Sequence, residues 1–167
     1  MGFRRARKSI DPEHSADLQR VRTAAVALLA RRDFTSGELI QRLKERGWDA
    51  TATATAIAEL LKERLLDDAR FAENYVAYHA NRGQGPMRIA MDLKALRLPR
   101  ELIDGAVARG ADWRARARTA RARRFGPDVP ESWAQKSRQA RFLQYRGFSL
   151  DHIRAALGTD FNLDDDT

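Results

Sequence analysis

The sequence predicts an all-α protein of three tandem three-helix units, each of helix-turn-helix type, that together form an elongated, curved, solenoid-like molecule. Apolar residues recur at i, i+3 and i+4, and no segment alternates strictly over the length of a strand. Only 5 Val and 6 Ile occur among 167 residues, which leaves few β-branched side chains for a sheet. Internal repetition, described below, predicts the tandem units.

The first unit, residues 17–66, contains three predicted helices. Thr35 and Glu38 match a capping box at the start of the second helix, with Thr35 accepting from the Glu38 amide and Glu38 reaching back. Gly47 is expected to end this helix, because glycine adopts the left-handed conformation without strain. The first helix is predicted over about 17–31 and the third over about 51–62.

The second unit, residues 67–110, contains three predicted helices, and an Asp or a Pro marks the start of each. Asp67 or Asp68 is expected to cap the fourth helix by accepting from its first free amides. Pro86 starts the fifth helix at a first helical position, and Pro99 opens the sixth in the same way.

The third unit, residues 111–158, repeats the pattern. Ser149 is expected to cap the ninth helix, and Gly158 closes it. The seventh helix is predicted over about 112–124 and the eighth from near residue 130 to residue 145. Residues 1–16 are interpreted as a flexible basic arm, and residues 159–167 as an acidic tail.

The sequence matches itself at a shift of 50 residues. Leu43, Leu93 and Leu143 coincide in the middle helix of each unit. Three more columns coincide at the same shift: Trp48 with Leu98 and Phe148, Ile57 with Val107 and Leu157, and Thr53 with Ile103 and Ile153. Such a period predicts helical units that bury their apolar faces against their neighbours.

The composition excludes several classes of function. The absence of Cys rules out a disulfide scaffold, a thiolate metal site and a cysteine nucleophile. The three His (His14, His79 and His152) have no metal-ligand spacing and no catalytic partner at a useful distance in the sequence. No apolar run approaches the length of a membrane span, and no signal peptide is evident. We therefore expect a cytoplasmic protein that is not an enzyme and needs neither metal nor cofactor.

Positive charge is concentrated in the third unit. Residues 110–148 carry ten Lys+Arg against three Asp+Glu, whereas residues 149–167 carry one Arg and five Asp. Arg114, Arg118 and Arg121 recur along one face of the seventh helix with few acidic neighbours in the sequence. This imbalance favours a partner that supplies negative charge.

Four segments resemble the RecX family of bacterial regulatory proteins. They are Glu38–Gly47, Leu66–Ala72, Gly83–Ile89 and Lys136–Ser149, and they fall in order within residues 20–158. The residues that carry the motifs are mostly helix caps and expected core positions: Asp67, Asp68, Phe71, Gly85, Pro86, Phe142, Gly147 and Phe148.

The resemblance implies a fold of three tandem three-helix units and a function in DNA repair. It implies binding to the recombinase RecA and to its filaments on single-stranded DNA, with reduced ATPase, recombinase and SOS coprotease activity. We expect a monomer that contacts RecA acidic surface or DNA phosphate, with weak direct binding to single- or double-stranded DNA. The predicted contact residues are Arg82, Arg88, Lys94, Arg118, Arg121, Arg124, Arg138, Arg141 and Arg146.

Alternatives remain open at this point. The helix pairs also fit a sequence-specific helix-turn-helix regulator of DNA, or an α-solenoid adaptor for another acidic protein. Arg70 and Arg141 fit equally well as arginines in buried or semi-buried salt bridges between units.

Overall fold

The computed structural model describes residues 10–158, which form nine α-helices and one 3-10 turn at Pro12–His14. No strand occurs in this described range, which confirms the all-α fold class. The helices are α1 Leu18–Leu29, α2 Ser36–Lys44, α3 Ala50–Lys62, α4 Asp68–Asn81, α5 Pro86–Ala95, α6 Arg100–Gly110, α7 Trp113–Phe125, α8 Trp133–Tyr145 and α9 Leu150–Leu157. The predicted basic arm is described only from residue 10, and the predicted acidic tail lies outside the described residues.

Most helix starts lie where the capping residues predict them. Asp67 caps α4 by accepting from the Arg70 amide at 2.9 Å, whereas Asp68 accepts from the Ser36 amide at 2.7 Å. Ser149 caps α9 in a reciprocal capping box with His152. These bonds satisfy amides that a helix start otherwise leaves without an acceptor.

One predicted capping box and two predicted helix starts need correction. Thr35 accepts from the Glu38 amide as predicted, but Glu38 does not reach back, because Arg32 engages both of its carboxylate oxygens. Helix α8 begins at Trp133 rather than near residue 130, since Ser132 forms a capping box with the third helical residue. Pro99 is the N-cap of α6 rather than its first helical residue.

The 50-residue period reappears as a pattern of burial. Leu43, Leu93 and Leu143 are all fully buried at the same position of α2, α5 and α8. The other columns agree: Thr53, Ile103 and Ile153 are buried, as are Leu98, Phe148, Ile57 and Leu157, while Trp48 and Val107 are half-buried. Each repeat therefore contributes equivalent side chains to the core, as the repeat predicts.

The described chain forms two compact units that divide after Phe71, with Leu96–Leu98 belonging to the first. The first unit has a core of α1, α2 and α3 side chains, among them Val21 and Leu60. The second unit contains α5 packed on α6, and α7 and α8 packed on α9 around Leu143.

A close backbone contact recurs within each compact unit. In the first, the Thr35 hydroxyl donates to the Leu96 carbonyl; in the second, the Gly85 amide donates to the Arg146 carbonyl at 2.8 Å. The turns whose carbonyls accept these bonds contain residues with positive φ, Arg97 (φ 62°) and Gly147 (φ 89°). Gly47, at the equivalent position of the first repeat, also has positive φ (92°). The start of a middle helix thus packs on a left-handed turn about 60 residues further along the chain.

Gly147 illustrates how little space this contact leaves. A Cβ added at Gly147 would collide with the backbone and Cβ of Arg88, whereas one added at Gly47 would meet only the Ile10 backbone nitrogen, at 3.9 Å. Both residues have positive φ, 89° and 92°. The two glycines therefore differ mainly in the space around them.

Substitution of Gly147→Ala is expected to destabilise the protein by at least about 2 kcal/mol more than Gly47→Ala. Both variants carry the left-handed backbone cost of about 1–2 kcal/mol, but only the first adds a clash with the backbone. Urea unfolding followed by circular dichroism measures the difference. Equal losses in the two variants would show that the contact at Gly147 is not tight.

Candidate anion-binding surface

The structure separates the nine predicted contact residues by exposure. Seven are exposed and Arg146 is half-buried, whereas Arg121 is 4% exposed. The exposed residues are Arg82, Arg88, Lys94, Arg118, Arg124, Arg138 and Arg141.

Arg121 is a structural residue, and its assignment to a contact surface is corrected here. Its guanidinium donates to the carbonyls of Pro127 at 2.8 Å and Asp128 at 2.6 Å, and approaches the Gln139 side chain at 3.4 Å. These bonds fasten the loop between α7 and α8. Its Nε makes no hydrogen bond within the described residues, but it is buried, so a partner outside the fold does not reach it.

Two arginines of the predicted cationic stripe on α7, Arg114 and Arg118, contact α9 although both remain exposed. Arg114 makes a two-pronged ion pair with Asp151, with both nitrogen–oxygen distances at 3.0 Å. Arg118 donates from Nε to the Ala155 carbonyl at 3.2 Å. The neutralising carboxylate lies 37 residues away in the sequence, so a search among chain neighbours does not find it.

Two arginines, one on α8 and one in the turn after it, lie over the rings of an aromatic pair, and two more are chain neighbours of these rings. The rings of Phe125 and Phe142 meet edge to face with centroids 5.3 Å apart. Arg138 lies over the Phe125 ring at 5.6 Å and Arg146 over the Phe142 ring at 5.3 Å. Arg124 and Arg141 precede the two phenylalanines in the chain and are both exposed. We call this group, Arg124, Arg138, Arg141 and Arg146, the arginine cluster.

The arginine cluster is suited to bind phosphate or carboxylate groups. A guanidinium over an aromatic face is held in position, while its N–H donors at the edge stay available for an anion. Among the described residues, none of its four members makes an ion pair with a carboxylate. An anionic partner would therefore relieve the mutual repulsion of these charges.

The second repeat contributes a smaller set of cations. Arg82 lies over the Tyr78 ring at 5.4 Å and donates to its hydroxyl at 3.1 Å. Arg88 pairs with Asp92 at 3.3 Å and lies against Gly147, next to Arg146 in the chain. Lys94 is exposed on the last turn of α5, and no contact joins it to the other predicted cations in the described range.

Three functional contributions were missing from the sequence analysis. Phe125 and Tyr78 support arginine side chains, and Arg123 donates to the Asn81 carbonyl at 3.1 Å, which brings the end of α7 to the end of α4. The i, i+4 spacing of Tyr78 and Arg82 on a helix was a usable signal. The other two contacts join different helices and leave no such signal.

The proposed salt bridge at Arg70 and Arg141 is wrong. Both side chains are exposed, and neither pairs with a carboxylate in the part of the chain that is described. The motif residues Gly85, Pro86 and Phe148 are buried, while Phe71 and Phe142 are half-buried. The motifs therefore mark helix starts, tight turns and core.

His152 shows the electrostatic effect of its place in the α9 cap. Its Nδ1 accepts from the Ser149 amide at 3.3 Å, which requires the neutral ring. Burial lowers the pKa of His152. Two nearby charges have smaller effects on this pKa: Asp151 raises it and Arg114 lowers it. Burial also raises the pKa of Tyr75.

The described residues offer no site for metal chemistry and no membrane helix. Within residues 10–158, no group of three or more His, Asp or Glu side chains is arranged to hold a metal ion. No described helix is long and apolar enough to cross a membrane.

Three family models match successive parts of the chain. They describe the first, second and third three-helix domains of RecX, and they match residues 22–60, 67–107 and 112–157. The fold and the comparison together define a regulatory protein made of tandem three-helix domains.

Curated relatives and solved structures agree with these models. The chain is 45% identical over 145 residues to "Regulatory protein RecX" of Halorhodospira halophila, which covers 86% of this chain and 90% of the relative. A relative of the same name from Pseudomonas fluorescens is 38% identical, covering 82% of this chain and 89% of its own. The chain belongs to the RecX family.

The same fold is present in solved structures. A crystal structure of RecX from Lactobacillus salivarius superimposes with a TM-score of 0.75 at 22% identity, covering 85% of this chain and 95% of that one. A second crystal structure of regulatory protein RecX gives a TM-score of 0.70 at 20% identity, covering 90% and 79%.

Substitution of Arg121→Met is expected to lower the free energy of unfolding by about 2–4 kcal/mol, because it leaves loop carbonyls without their donor. Arg124→Met, which removes an exposed arginine three residues away, should change it by no more than about 0.5 kcal/mol. Chemical denaturation measures both. A small loss for Arg121→Met would mean that water replaces the guanidinium at little cost.

The lowered pKa of His152 predicts a loss of stability in acid. Below about pH 6.5 the unfolded chain binds a proton that the folded His152 resists, so stability falls until the pH passes the lowered folded pKa. Thermal midpoints between pH 8 and pH 5 test this. His152→Gln should reduce the slope; an unchanged slope in this variant contradicts the assignment.

Proposed function

We propose that this protein binds RecA and RecA filaments on single-stranded DNA and lowers their recombinase, ATPase and SOS coprotease activities. The observation that carries the proposal is the ordered match of all three RecX domain models along the chain. The relatives are named regulatory proteins, which favours a regulator without catalysis of its own. The proposal includes that it acts as a monomer in the cytoplasm.

The arginine cluster is the proposed point of contact in the third repeat. Arg138 and Arg146 are held over aromatic rings, so less side-chain freedom is lost when they bind an anion. The filament presents DNA phosphates and acidic protein surface in a repeating array. Several modest charged contacts to such an array sum to a useful affinity.

Arg82, Arg88, Lys94 and Arg118 complete the proposed contact set. Arg88 and Arg118 already have an internal acceptor, so their contribution should be smaller than that of the cluster. Arg121 is left out because it is buried and donates inside the fold. A protein held on the filament by these contacts would block the addition of RecA or favour its release, and hydrolysis of ATP would fall with the amount of filament.

The direct test adds the protein below the RecA concentration to RecA on single-stranded DNA and follows ATP hydrolysis and filament length. Both should decrease. Unchanged hydrolysis and length would contradict the proposal. Strong preference for one duplex sequence over random duplex would instead indicate a sequence-specific DNA regulator.

The variant Arg138→Gln, Arg141→Gln, Arg146→Gln is expected to raise the concentration needed for half-inhibition by about tenfold, through three lost charged contacts. For binding to an oligothymidylate, the slope of log affinity against log salt concentration should become shallower by about 2. Each lost phosphate contact contributes about 0.7 to this slope.

A matched control removes the same charge from the first unit: Arg31→Gln, Arg42→Gln, Lys62→Gln, three exposed side chains. It should leave the half-inhibition concentration nearly unchanged. Equal effects of the two triple variants would show that net charge, and not the arginine cluster, determines binding.

A further inference from the structure

An apolar groove of about 310 Å³ lies between α5, the end of α8 and the start of α9. Its lining includes two buried side chains, Phe148 and Ile153, and no Asp or Glu among the described residues. It also includes four large side chains that are exposed: Met87 and Met91 of α5, Tyr145 of α8 and Leu150 of α9. We call it the methionine groove. It leaves apolar and aromatic surface open to solvent, where a partner can cover it.

The repeated fold does not require these four exposed side chains. The 50-residue period gives each of them a counterpart one repeat earlier, and these counterparts are small or polar: Gly37, Gln41, Ala95 and Arg100. The start of α2 still packs on the turn after α5, because a Cβ at Gly37 would collide with Arg97. The contact between a helix start and a turn thus forms without large apolar residues at these positions. Their presence in the methionine groove therefore has a reason other than folding.

Tyr145 is the most exposed side chain of the methionine groove, at 82%. Within residues 10–158 its ring meets no other aromatic ring and its hydroxyl has no hydrogen-bond partner. A ring placed in this way has a face free to stack on another flat π system, such as a nucleobase. The polarisable sulfurs of Met87 and Met91, in the same groove, also make favourable contacts with flat rings.

Positive charge leads to the methionine groove along one face of α8. Arg138, Arg141 and Tyr145 are spaced i, i+3 and i+7, which places them on the same side of the helix within about 10 Å. Neither arginine makes an ion pair with a carboxylate in the part of the chain that is described. Single-stranded nucleic acid supplies both phosphates for such arginines and unstacked bases for an exposed ring. An apolar protein segment would leave the arginines without acceptors.

We propose that the methionine groove binds an unpaired nucleobase of single-stranded DNA, which stacks on the ring of Tyr145 and contacts Met87 and Met91. Arg138 and Arg141 hold phosphates of the same strand; this part rests on the proposed function, in which the arginine cluster meets DNA. A base within a duplex does not fit this site, because its faces are covered by its neighbours in the stack. The groove thus adds recognition of unpaired bases to the contacts with phosphate.

The test compares two probes that carry the same phosphates: an oligothymidylate, and a strand of the same length in which every residue is abasic. Tyr145→Ala should lower the affinity for the oligothymidylate about fivefold or more, because the stacked base loses its platform. It should leave the affinity for the abasic strand unchanged. Tyr145→Phe, which keeps the ring, should bind both strands as the native protein does. Fluorescence anisotropy of labelled strands measures all four affinities.

The matched control is Leu65→Ala, which removes another exposed apolar side chain, from the first unit. It should change neither affinity. Because Tyr145 is so exposed, Tyr145→Ala should also keep the thermal midpoint of the native protein. No loss on the oligothymidylate, or an equal loss on the two strands, would overturn the base site.

The variant Arg138→Gln, Arg141→Gln separates this proposal from the proposed function. It should weaken binding of both strands alike, since both carry phosphates. If it does so while Tyr145→Ala weakens neither, the phosphate contacts are supported and the base site is rejected. If Tyr145→Ala weakens only the oligothymidylate while the arginine variant weakens neither strand, the base site is supported and the phosphate contacts are rejected.

An apolar segment of a protein partner is the competing occupant of the methionine groove. With that occupant, Tyr145→Ala would weaken the inhibition of RecA without any change in affinity for the oligothymidylate, and the base site would be overturned. Photocross-linking locates the base directly. An oligothymidylate with one 5-iodouracil should cross-link on irradiation to the peptide that contains Tyr145. Cross-links confined to other exposed aromatic residues, such as Tyr78 or Trp133, would overturn the proposal.

Discussion

The tight contact between the start of a middle helix and a left-handed turn about 60 residues later is the constraint on which the repeat depends. Met87 and Gly85 donate amides to the carbonyls of the turn after α8, and Gly37 meets the turn after α5 at the same spacing. Because backbone meets backbone, the contact fixes where α2 and α5 begin and admits only a glycine where a Cβ would intrude. Buried leucines at a 50-residue spacing then form the core that this contact aligns.

The packing of α7 on α9 determines which arginines of the third repeat are available to a partner. Once α7 packs on α9, Arg114 and Arg118 are committed to acceptors on that helix, and Arg121 is committed to the loop before α8. Of the predicted contact arginines in the described part of the third repeat, those around the Phe125–Phe142 pair have no acceptor inside the fold. Packing therefore gives some arginines of a dense run a structural role and leaves others available to a partner. Substitution of the first kind should change stability, and substitution of the second kind should change binding.

Much of the fold could be predicted from the sequence, because its signals are local or periodic. Thr35, Asp67 and Ser149 cap helices as their positions predict, and the coincidence of Leu43, Leu93 and Leu143 predicted three equivalent burial sites. The site was harder to predict. The roles of Asp151 and of the loop carbonyls that bind Arg121 depend on contacts between residues far apart in the sequence or on a loop conformation, and neither leaves a pattern in a single chain.

The most direct test of the central claim is hydrogen–deuterium exchange of this protein alone and on RecA filaments formed on single-stranded DNA. The claim is that the arginine cluster meets the filament, so amides at the end of α7 and in α8, within residues 122–147, should exchange more slowly in the complex. Helices α1–α3 should show smaller changes. Protection confined to α1–α3, or none anywhere in the chain, would contradict the account.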